Sequence, residues 1–215
     1  MHDASVTDQL AGLTPKGDRR AASILQAATT VLARDGFGGA TLGRIATEAG
    51  ADKRSVIYYF GTREKLLVRV VHDLGGRIAE SVRGATPAHA GPNQTLDEIV
   101  AATWKGVTSD SQLVRAYFAL VAGDVEAGDV DDALGVIKDT YRSLLRDQLL
   151  TLQSAGWALR GDLDDSASAL FALLRGYLLQ WLEEGPSAFE HGGLVQFKSF
   201  IALQFHPSAD GRQPL

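Results

Sequence analysis

Apolar residues recur at helical spacing along nearly the whole chain. In the first segment they fall at i, i+3, i+4, i+7, i+10 and i+11, which is one face of a helix. These residues are Ala21, Ile24, Leu25, Ala28, Val31 and Leu32. The helix is predicted to stop at Asp35-Gly36. Because no segment alternates with period two for long enough to indicate a strand, the pattern predicts an all-α fold.

Three further helices are predicted before the middle of the chain. Thr41 can cap a second helix that Gly50 closes, and Asp52 can cap a short third helix over about 53–60. A long fourth helix is expected to follow and to reach about residue 83. The second and third helices, joined by a tight turn, have the lengths of a helix-turn-helix.

The second part of the chain continues the helical pattern after a loop predicted at 84–94. Thr95 with Glu98 forms a capping box for the next helix. The predicted helices then cover about 95–109, 112–122, 130–155, 164–184 and 193–205. The last eight residues are expected to be disordered.

Charge divides the chain unevenly. Its net charge is −5, yet residues 16–72 hold ten Lys or Arg and five acids, whereas residues 73–215 hold eleven bases and nineteen acids. A basic first third indicates an anionic partner for that part. The chain has no cysteine, which excludes disulfides and thiolate sites. It also has no apolar run long enough for a membrane span and no signal-peptide pattern at its start, so a cytoplasmic protein without a membrane partner is expected.

The predicted third helix has two different sides on a helical wheel. One side consists of Lys53, Val56, Ile57 and Phe60, and Lys53 can reach round from its flank toward the other side. The opposite side consists of Arg54, Ser55, Tyr58 and Tyr59. Guanidinium, hydroxyl and phenol groups donate hydrogen bonds to phosphates and to base edges in a major groove. The alternative is a solvated surface helix in an ordinary bundle.

The stretch TLGRIATEAGADKRSVIYYFGTREKLL resembles the DNA-binding domain of the tetracycline-repressor (TetR) family. The matching features are the starting Thr41, Ile45-Ala46, Ala49-Gly50, the cluster Tyr58-Tyr59-Phe60 and the run Arg63 to Leu66. The resemblance covers about residues 19–70. It implies an N-terminal three-helix helix-turn-helix domain and a C-terminal helical domain that binds a ligand and dimerises. The expected organisation is a flexible arm 1–17, a DNA-binding domain 18–70, a ligand-binding and dimerisation domain 71–206, and a disordered tail 207–215.

The same resemblance implies individual roles. Thr41, Tyr59 and Arg63 would contact backbone phosphates, and Lys53, Arg54 and Ser55 would face base edges. The full predicted DNA-binding set is Thr41, Arg44, Lys53, Arg54, Ser55, Tyr58, Tyr59 and Arg63. Ile57 departs from the tyrosine frequent at its position, and either touches a thymine methyl or packs inward. Lys16, Arg19 and Arg20 form either an arm on DNA or a solvated tail.

The last two predicted helices, 164–184 and 193–205, are apolar around most of their circumference. Such helices need cover on two sides, and a second subunit supplies it most simply. The sequence therefore predicts a homodimer, for which charge at Leu174 or Phe197 is the expected disruption. The alternative is that both helices are internal core.

Large side chains on the helices between 95 and 182 suggest a pocket for a small apolar or aromatic effector. The predicted lining is Trp104, Phe118, Tyr141, Phe171, Arg175 and Leu178. Arg175 either pairs with Asp139 or Asp147 or recognises the effector. The expected function is thus a ligand-responsive repressor that leaves a palindromic double-stranded DNA operator, and the alternative is an effector-independent DNA-binding protein.

Catalysis is not expected. The five histidines are scattered, with no two at i, i+3 or i+4, so no metal pair is visible on a helix. The glycines at 36, 38 and 39 lack the Lys-Ser/Thr of a phosphate loop, and no nucleophile motif surrounds the serines. No cofactor is implied.

Overall fold

The computed structural model describes residues 15–83, 92–123, 128–185 and 193–207. Nine helices lie within these ranges: α1 Pro15–Gly39, α2 Leu42–Glu48, α3 Lys53–Phe60, α4 Arg63–Arg83, α5 Pro92–Thr108, α6 Ser111–Val121, α7 Asp129–Ser154, α8 Leu163–Glu184 and α9 Gly193–Leu203. Two three-residue strands, β1 Trp157–Leu159 and β2 Phe205–Pro207, pair antiparallel. The predicted all-α fold is confirmed, with this short ribbon as an addition.

The described residues form two compact units, each with its own apolar core. The first unit comprises the chain up to Gly75 together with Gln112–Ile137, and the second comprises Gly76–Ser111 together with the chain from Lys138 onwards. Fully buried side chains in the first unit include Ile24, Val31, Leu32, Ile45, Leu66, Leu67, Leu74 and Leu120. In the second unit they include Leu96, Leu149, Leu152 and Phe197. Helices α4 and α7 contribute residues to both units.

Glycines set the path of the chain at the end of α1. Gly36 adopts φ 72°, a left-handed conformation that L side chains rarely take, and it interrupts the helix where the stop was predicted. The helical path resumes briefly to Gly39. A Cβ on Gly39 would lie 2.6 Å from the Asp35 Cβ, so this position accepts only glycine without a shift.

Several predicted boundaries are corrected. Helix α1 starts at Pro15, so the last three residues of the predicted arm are helical. Helix α5 starts at Pro92, three residues before Thr95, and the predicted capping box there is wrong. Proline suits the first turn of a helix, where its missing N–H has no intrahelical acceptor. Residues 1–14, 84–91 and 208–215, predicted as arm, loop and tail, lie outside the described residues.

The ribbon replaces the predicted end of the last helix. Phe205 pairs with Leu159 across the two strands, and Trp157 lies on β1. The Arg160 amide donates to the Gln204 carbonyl at 2.8 Å, and its Nε donates to the Phe205 carbonyl at 2.7 Å. These bonds tie the end of α9 to the turn between α7 and α8. Among the described residues, no helix combines the length and apolarity needed to cross a lipid bilayer.

Candidate nucleic-acid interface

Two side-chain caps fix the starts of α2 and α3, as predicted. Thr41 Oγ1 accepts a hydrogen bond from the Arg44 amide at 3.3 Å. Asp52 Oδ1 accepts from the Ser55 amide at 2.6 Å, and this bond holds the pKa of the Asp52 carboxyl below its usual value. Between the two helices Gly50 takes φ 56°, the left-handed conformation that the turn requires. The helix-turn-helix is therefore specified by local hydrogen bonds.

Helix α3 is buried along a narrow stripe. Val56 and Phe60 are buried, whereas Lys53 and Arg54 are exposed. Ile57 is 44% exposed, so it does not share the buried side of α3 with Val56 and Phe60. A helix of eight residues that packs on one neighbouring surface buries only an i, i+4 pair and leaves the flanking positions in solvent. Ile57 is thus available for an apolar contact outside the chain.

The outer part of α3 is aromatic as well as basic. Tyr58 is 77% exposed, and its ring meets that of Tyr59 edge to face at a centroid distance of 5.1 Å. Tyr59 is half-buried and borders an open groove of about 640 Å³. The groove is lined by Lys16, Gly17, Arg19, Arg20, Ser23, Ser55 and Tyr59. The structure therefore places the start of α1 beside α3 and brings two exposed bases, Lys16 and Arg19, to the same surface.

Arg20 is engaged inside the unit. Its Nη2 donates to the Gly50 carbonyl at 2.8 Å, and its Nη1 donates to the Ala49 carbonyl at 3.4 Å. The sequence suggested that Arg20 belongs either to an arm on DNA or to a solvated tail. Both alternatives are wrong for this side chain, because it bonds to the turn between α2 and α3.

Arg63 and Arg44, both predicted to bind DNA, also have bonds within the chain. Arg63 Nε donates to the Ala40 carbonyl at 2.8 Å, its Nη2 donates to the Phe37 carbonyl, and its guanidinium carbon lies 4.4 Å from the centroid of the Phe37 ring. Arg44 Nη1 lies 3.4 Å from Asp35 Oδ2. The pKa of the Asp35 carboxyl is lowered, and the largest cause is a hydrogen bond from Arg34. Arg44 is exposed, so this ion pair is open to competition from a phosphate.

The sequence of the helix-turn-helix matches that of known proteins. The family model for bacterial regulatory proteins of the tetR family matches residues 24–70, which span α2, α3 and their turn. The HTH-type transcriptional repressor NicS of Pseudomonas putida is 34% identical over 89 residues, a stretch that covers 41% of this chain and 42% of NicS. The chain is therefore similar to the tetR family over residues 24–70. Its helix-turn-helix is the part that carries the family's sequence pattern.

Two further comparisons extend over most of the chain. The HTH-type transcriptional regulator BetI of Rhizobium meliloti is 23% identical over 196 residues, covering 91% of this chain and 94% of BetI. A crystal structure described as a transcriptional regulator from Pseudomonas aeruginosa PAO1 superposes with a TM-score of 0.71 at 25% identity, covering 90% of this chain and 91% of that one. Over these stretches the chain is similar to proteins that are named transcriptional regulators.

The residues predicted to line an effector pocket are only partly brought together. Tyr141 and Phe171 stack at a centroid distance of 5.9 Å, and the Arg175 guanidinium lies 5.7 Å from the Phe171 ring centroid. Trp104 meets Trp181 edge to face at 6.4 Å. These residues and Leu178 belong to the second unit, whereas Phe118 belongs to the first. Of the two acids suggested as partners for Arg175, Asp139 lies 4.0 Å from Arg142.

A small cavity of about 20 Å³ lies elsewhere in the second unit. Its walls are Ile99, Val100, Thr103, Leu145, Gln148, Leu149, Leu152, Leu170, Phe197 and Ile201, none of which is in the predicted lining. Thr103 Oγ1 and Gln148 are mutually hydrogen-bonded at 3.0–3.2 Å and supply the polar part of the wall. The volume is that of a single water molecule. Sequence reasoning missed this pair because its two members lie on different helices, 45 residues apart.

The apolar surface of α8 and α9 also differs from the prediction in detail. Leu174 and Phe197 are 4% and 2% exposed within the chain, so charge at either position disrupts the core of the second unit. The exposed apolar side chains on these helices are Leu179, Val195, Phe200 and Leu203. On α9 they occupy the side opposite the buried Phe197 and Ile201.

Proposed function

We propose that this regulator is a ligand-responsive transcriptional repressor. It binds a palindromic operator as a homodimer and leaves the operator when a small apolar or aromatic effector binds. The observation that carries the DNA-binding part is the exposed surface of α3, where Lys53, Arg54 and Tyr58 face solvent beside the basic start of α1. NicS, a relative over 89 residues, is named a repressor, which supports repression over activation. Since the target is chromosomal DNA, the proposed site of action is the cytoplasm.

The proposed interface divides into phosphate contacts and base contacts. Thr41, Arg44 and Tyr59 bind backbone phosphates, because a helix start, a guanidinium and a phenol supply donors that need no particular base. Lys53, Arg54, Ser55 and Tyr58 reach base edges from α3. Ile57 adds an apolar contact to a thymine methyl, which its exposure permits.

Fluorescence anisotropy tests this division. The probe is a labelled duplex selected by the wild-type protein from a random pool, with a scrambled duplex of equal composition as the reference. Arg54→Ala is expected to cost about 1–3 kcal/mol on the selected duplex at one base position. Thr41→Ala is expected to weaken binding to both duplexes alike. Equal binding of both duplexes by the wild type at physiological salt contradicts the proposal.

The homodimer rests on the exposed apolar side of α9 and on Leu179 of α8. Exposed Val195, Phe200 and Leu203 form a side of α9 that water solvates poorly. A two-fold protein presents two copies of α3, which fit two half-sites about 34 Å apart or a multiple of that spacing.

An effector-independent DNA-binding protein is the second candidate. The cavity of about 20 Å³ is far below the roughly 300 Å³ that a drug-sized ligand needs, so this cavity as it stands does not hold an effector. Under the leading proposal the second unit opens on binding beside the stacked Tyr141 and Phe171. A preference of the effector of about 3 kcal/mol for the form that does not bind DNA lowers operator affinity about 150-fold. Screening a small-molecule library by fluorescence anisotropy distinguishes the two candidate functions. Compounds that release the DNA support the ligand-responsive repressor, and a library in which no compound releases the DNA supports the effector-independent protein.

A further inference from the structure

We infer that Arg20 and Arg63 are positioning residues that brace the two ends of α2, and so orient α3, without contacting DNA phosphates themselves. The inference rests on the proposed DNA-binding function and assigns these two bases a role distinct from that of their exposed neighbours. It also departs from the phosphate contact that the family resemblance implies for Arg63.

The first brace lies at the C-terminal end of α2. The last carbonyls of a helix have no intrahelical donor and carry the negative end of the helix dipole. Arg20 donates to the carbonyls of Ala49 and Gly50, the two residues that follow α2 and form the turn. One guanidinium from the first turns of α1 thereby fixes the segment from which α3 begins.

The second brace lies before the N-terminal end of α2. Arg63, the first residue of α4, donates to the carbonyls of Phe37 and Ala40 in the connection from α1 to α2. Its guanidinium also stacks on the Phe37 ring. That ring is itself confined, because a Cβ on Gly123 would lie 2.5 Å from it. The Arg63 side chain is therefore held by packing as well as by hydrogen bonds.

Both arginines bind backbone carbonyls in a fixed fork geometry that a lysine cannot reproduce. The consequence for DNA recognition is geometric. Base-edge hydrogen bonds need the recognition helix in one orientation, whereas phosphate contacts tolerate small displacements and carry no sequence information. Removing a brace is thus expected to reduce discrimination between DNA sequences, and removing a phosphate-binding side chain to reduce affinity for all sequences.

Arg19 and Arg20 provide a matched pair for the test. They are adjacent and carry equal charge, but Arg19 is exposed on the groove and Arg20 bonds to the turn. Affinities of the wild type, Arg19→Ala, Arg20→Ala and Arg20→Lys are measured on the selected duplex and on its scrambled counterpart over a range of salt concentrations. Thermal unfolding of each variant is recorded in parallel.

Arg20→Ala is expected to lower the ratio of selected to scrambled affinity about tenfold, and Arg20→Lys is expected not to restore it. Neither Arg20 variant is expected to change how the DNA affinity depends on salt concentration. The slope of that dependence falls by about 0.9 for each phosphate that the protein no longer neutralises. Arg19→Ala is expected to leave the ratio unchanged. An unchanged ratio for Arg20→Ala, a reduced salt dependence for it, or recovery with Arg20→Lys overturns the inference. Arg63→Ala and Arg63→Lys are expected to behave like the Arg20 variants.

Hydrogen exchange provides a readout that does not depend on DNA. In Arg20→Ala and Arg20→Lys the amides of residues 49–55 are expected to exchange faster than in the wild type, whereas in Arg19→Ala they are not. Unchanged exchange in the Arg20 variants overturns the brace even if DNA binding holds. If the wild type selects no duplex but exchange rises as expected, the DNA-binding proposal fails and the brace stands.

Discussion

Phe197 and Phe200 lie three residues apart on α9 and form a matched pair for testing the homodimer. Phe197 is 2% exposed within its own chain, whereas Phe200 is 45% exposed. If a second subunit covers the exposed side of α9, Phe200→Ala weakens the dimer and spares the fold. Phe197→Ala removes core packing and weakens the fold.

The magnitudes follow from the exposed area. A phenylalanine presents roughly 200 Å² of surface, so the 45% left exposed at Phe200 is about 90 Å². At about 25 cal/mol per Å², covering it stabilises the dimer by about 2 kcal/mol for each subunit. A two-fold dimer contains the residue twice, so Phe200→Ala is expected to weaken dimerisation by about 4 kcal/mol, close to a thousandfold. Phe197→Ala is expected to lower the free energy of unfolding by about 3–5 kcal/mol.

Sedimentation velocity over a micromolar concentration series measures the dimer dissociation constant of each variant, and urea unfolding measures stability. The expected result is a folded, monomeric Phe200→Ala protein. A Phe200→Ala protein that dimerises as tightly as the wild type refutes the placement of the interface on this side of α9. A wild-type protein that remains a folded monomer refutes the dimer itself.

Three further predictions concern stability. Gly76→Ala is expected to stabilise α4 by about 0.5–1 kcal/mol, because nothing lies within 4 Å of the added Cβ. Gly75→Ala is expected to stabilise it less or to destabilise it, because the added Cβ would lie 3.0 Å from an isoleucine of α7. Thermal unfolding of the two variants compares these effects. The pKa of Asp52 is lowered in the folded protein, so its carboxylate contributes fully to stability above about pH 4, and this contribution is lost as the pH falls below that value. Asp52→Asn keeps a capping oxygen but does not titrate, so the stability of this variant is expected to depend less on acid pH. Thr103→Val is expected to cost about 1–3 kcal/mol in urea unfolding, because it leaves the half-buried Gln148 amide without its hydroxyl partner.

The local features of the DNA-binding unit could be predicted because they depend on residues close in sequence. Thr41 and Asp52 each cap a helix three residues before the amide that they bind, and Gly50 marks a turn that needs a left-handed residue. The start of α5 could not be predicted in this way. Pro92 and Thr95 both give valid start signals, and the choice between them depends on packing.

Contacts between distant elements were beyond the reach of the pattern. An apolar circumference on α9 indicates that two sides are covered, but it does not say that Phe197 faces its own chain and Phe200 faces outward. Likewise, net charge counts Arg20 and Arg63 with the DNA-facing bases, although both bond to carbonyls that lie 23 to 30 positions away in sequence. Spacing along a helix cannot reveal such partners.

Selection of duplexes from a random-sequence pool by the wild-type protein is the most direct test of the central claim that α3 recognises DNA as part of a two-fold repressor. The account predicts enrichment of a two-fold symmetric sequence with half-sites about 34 Å apart or a multiple of that spacing. It also predicts that Arg54→Ala relaxes the preference at one position in each half-site. The assignment of α3 as the recognition helix is contradicted if the wild-type protein enriches no common sequence. It is also contradicted if Arg54→Ala enriches the same sequence as strongly as the wild type does.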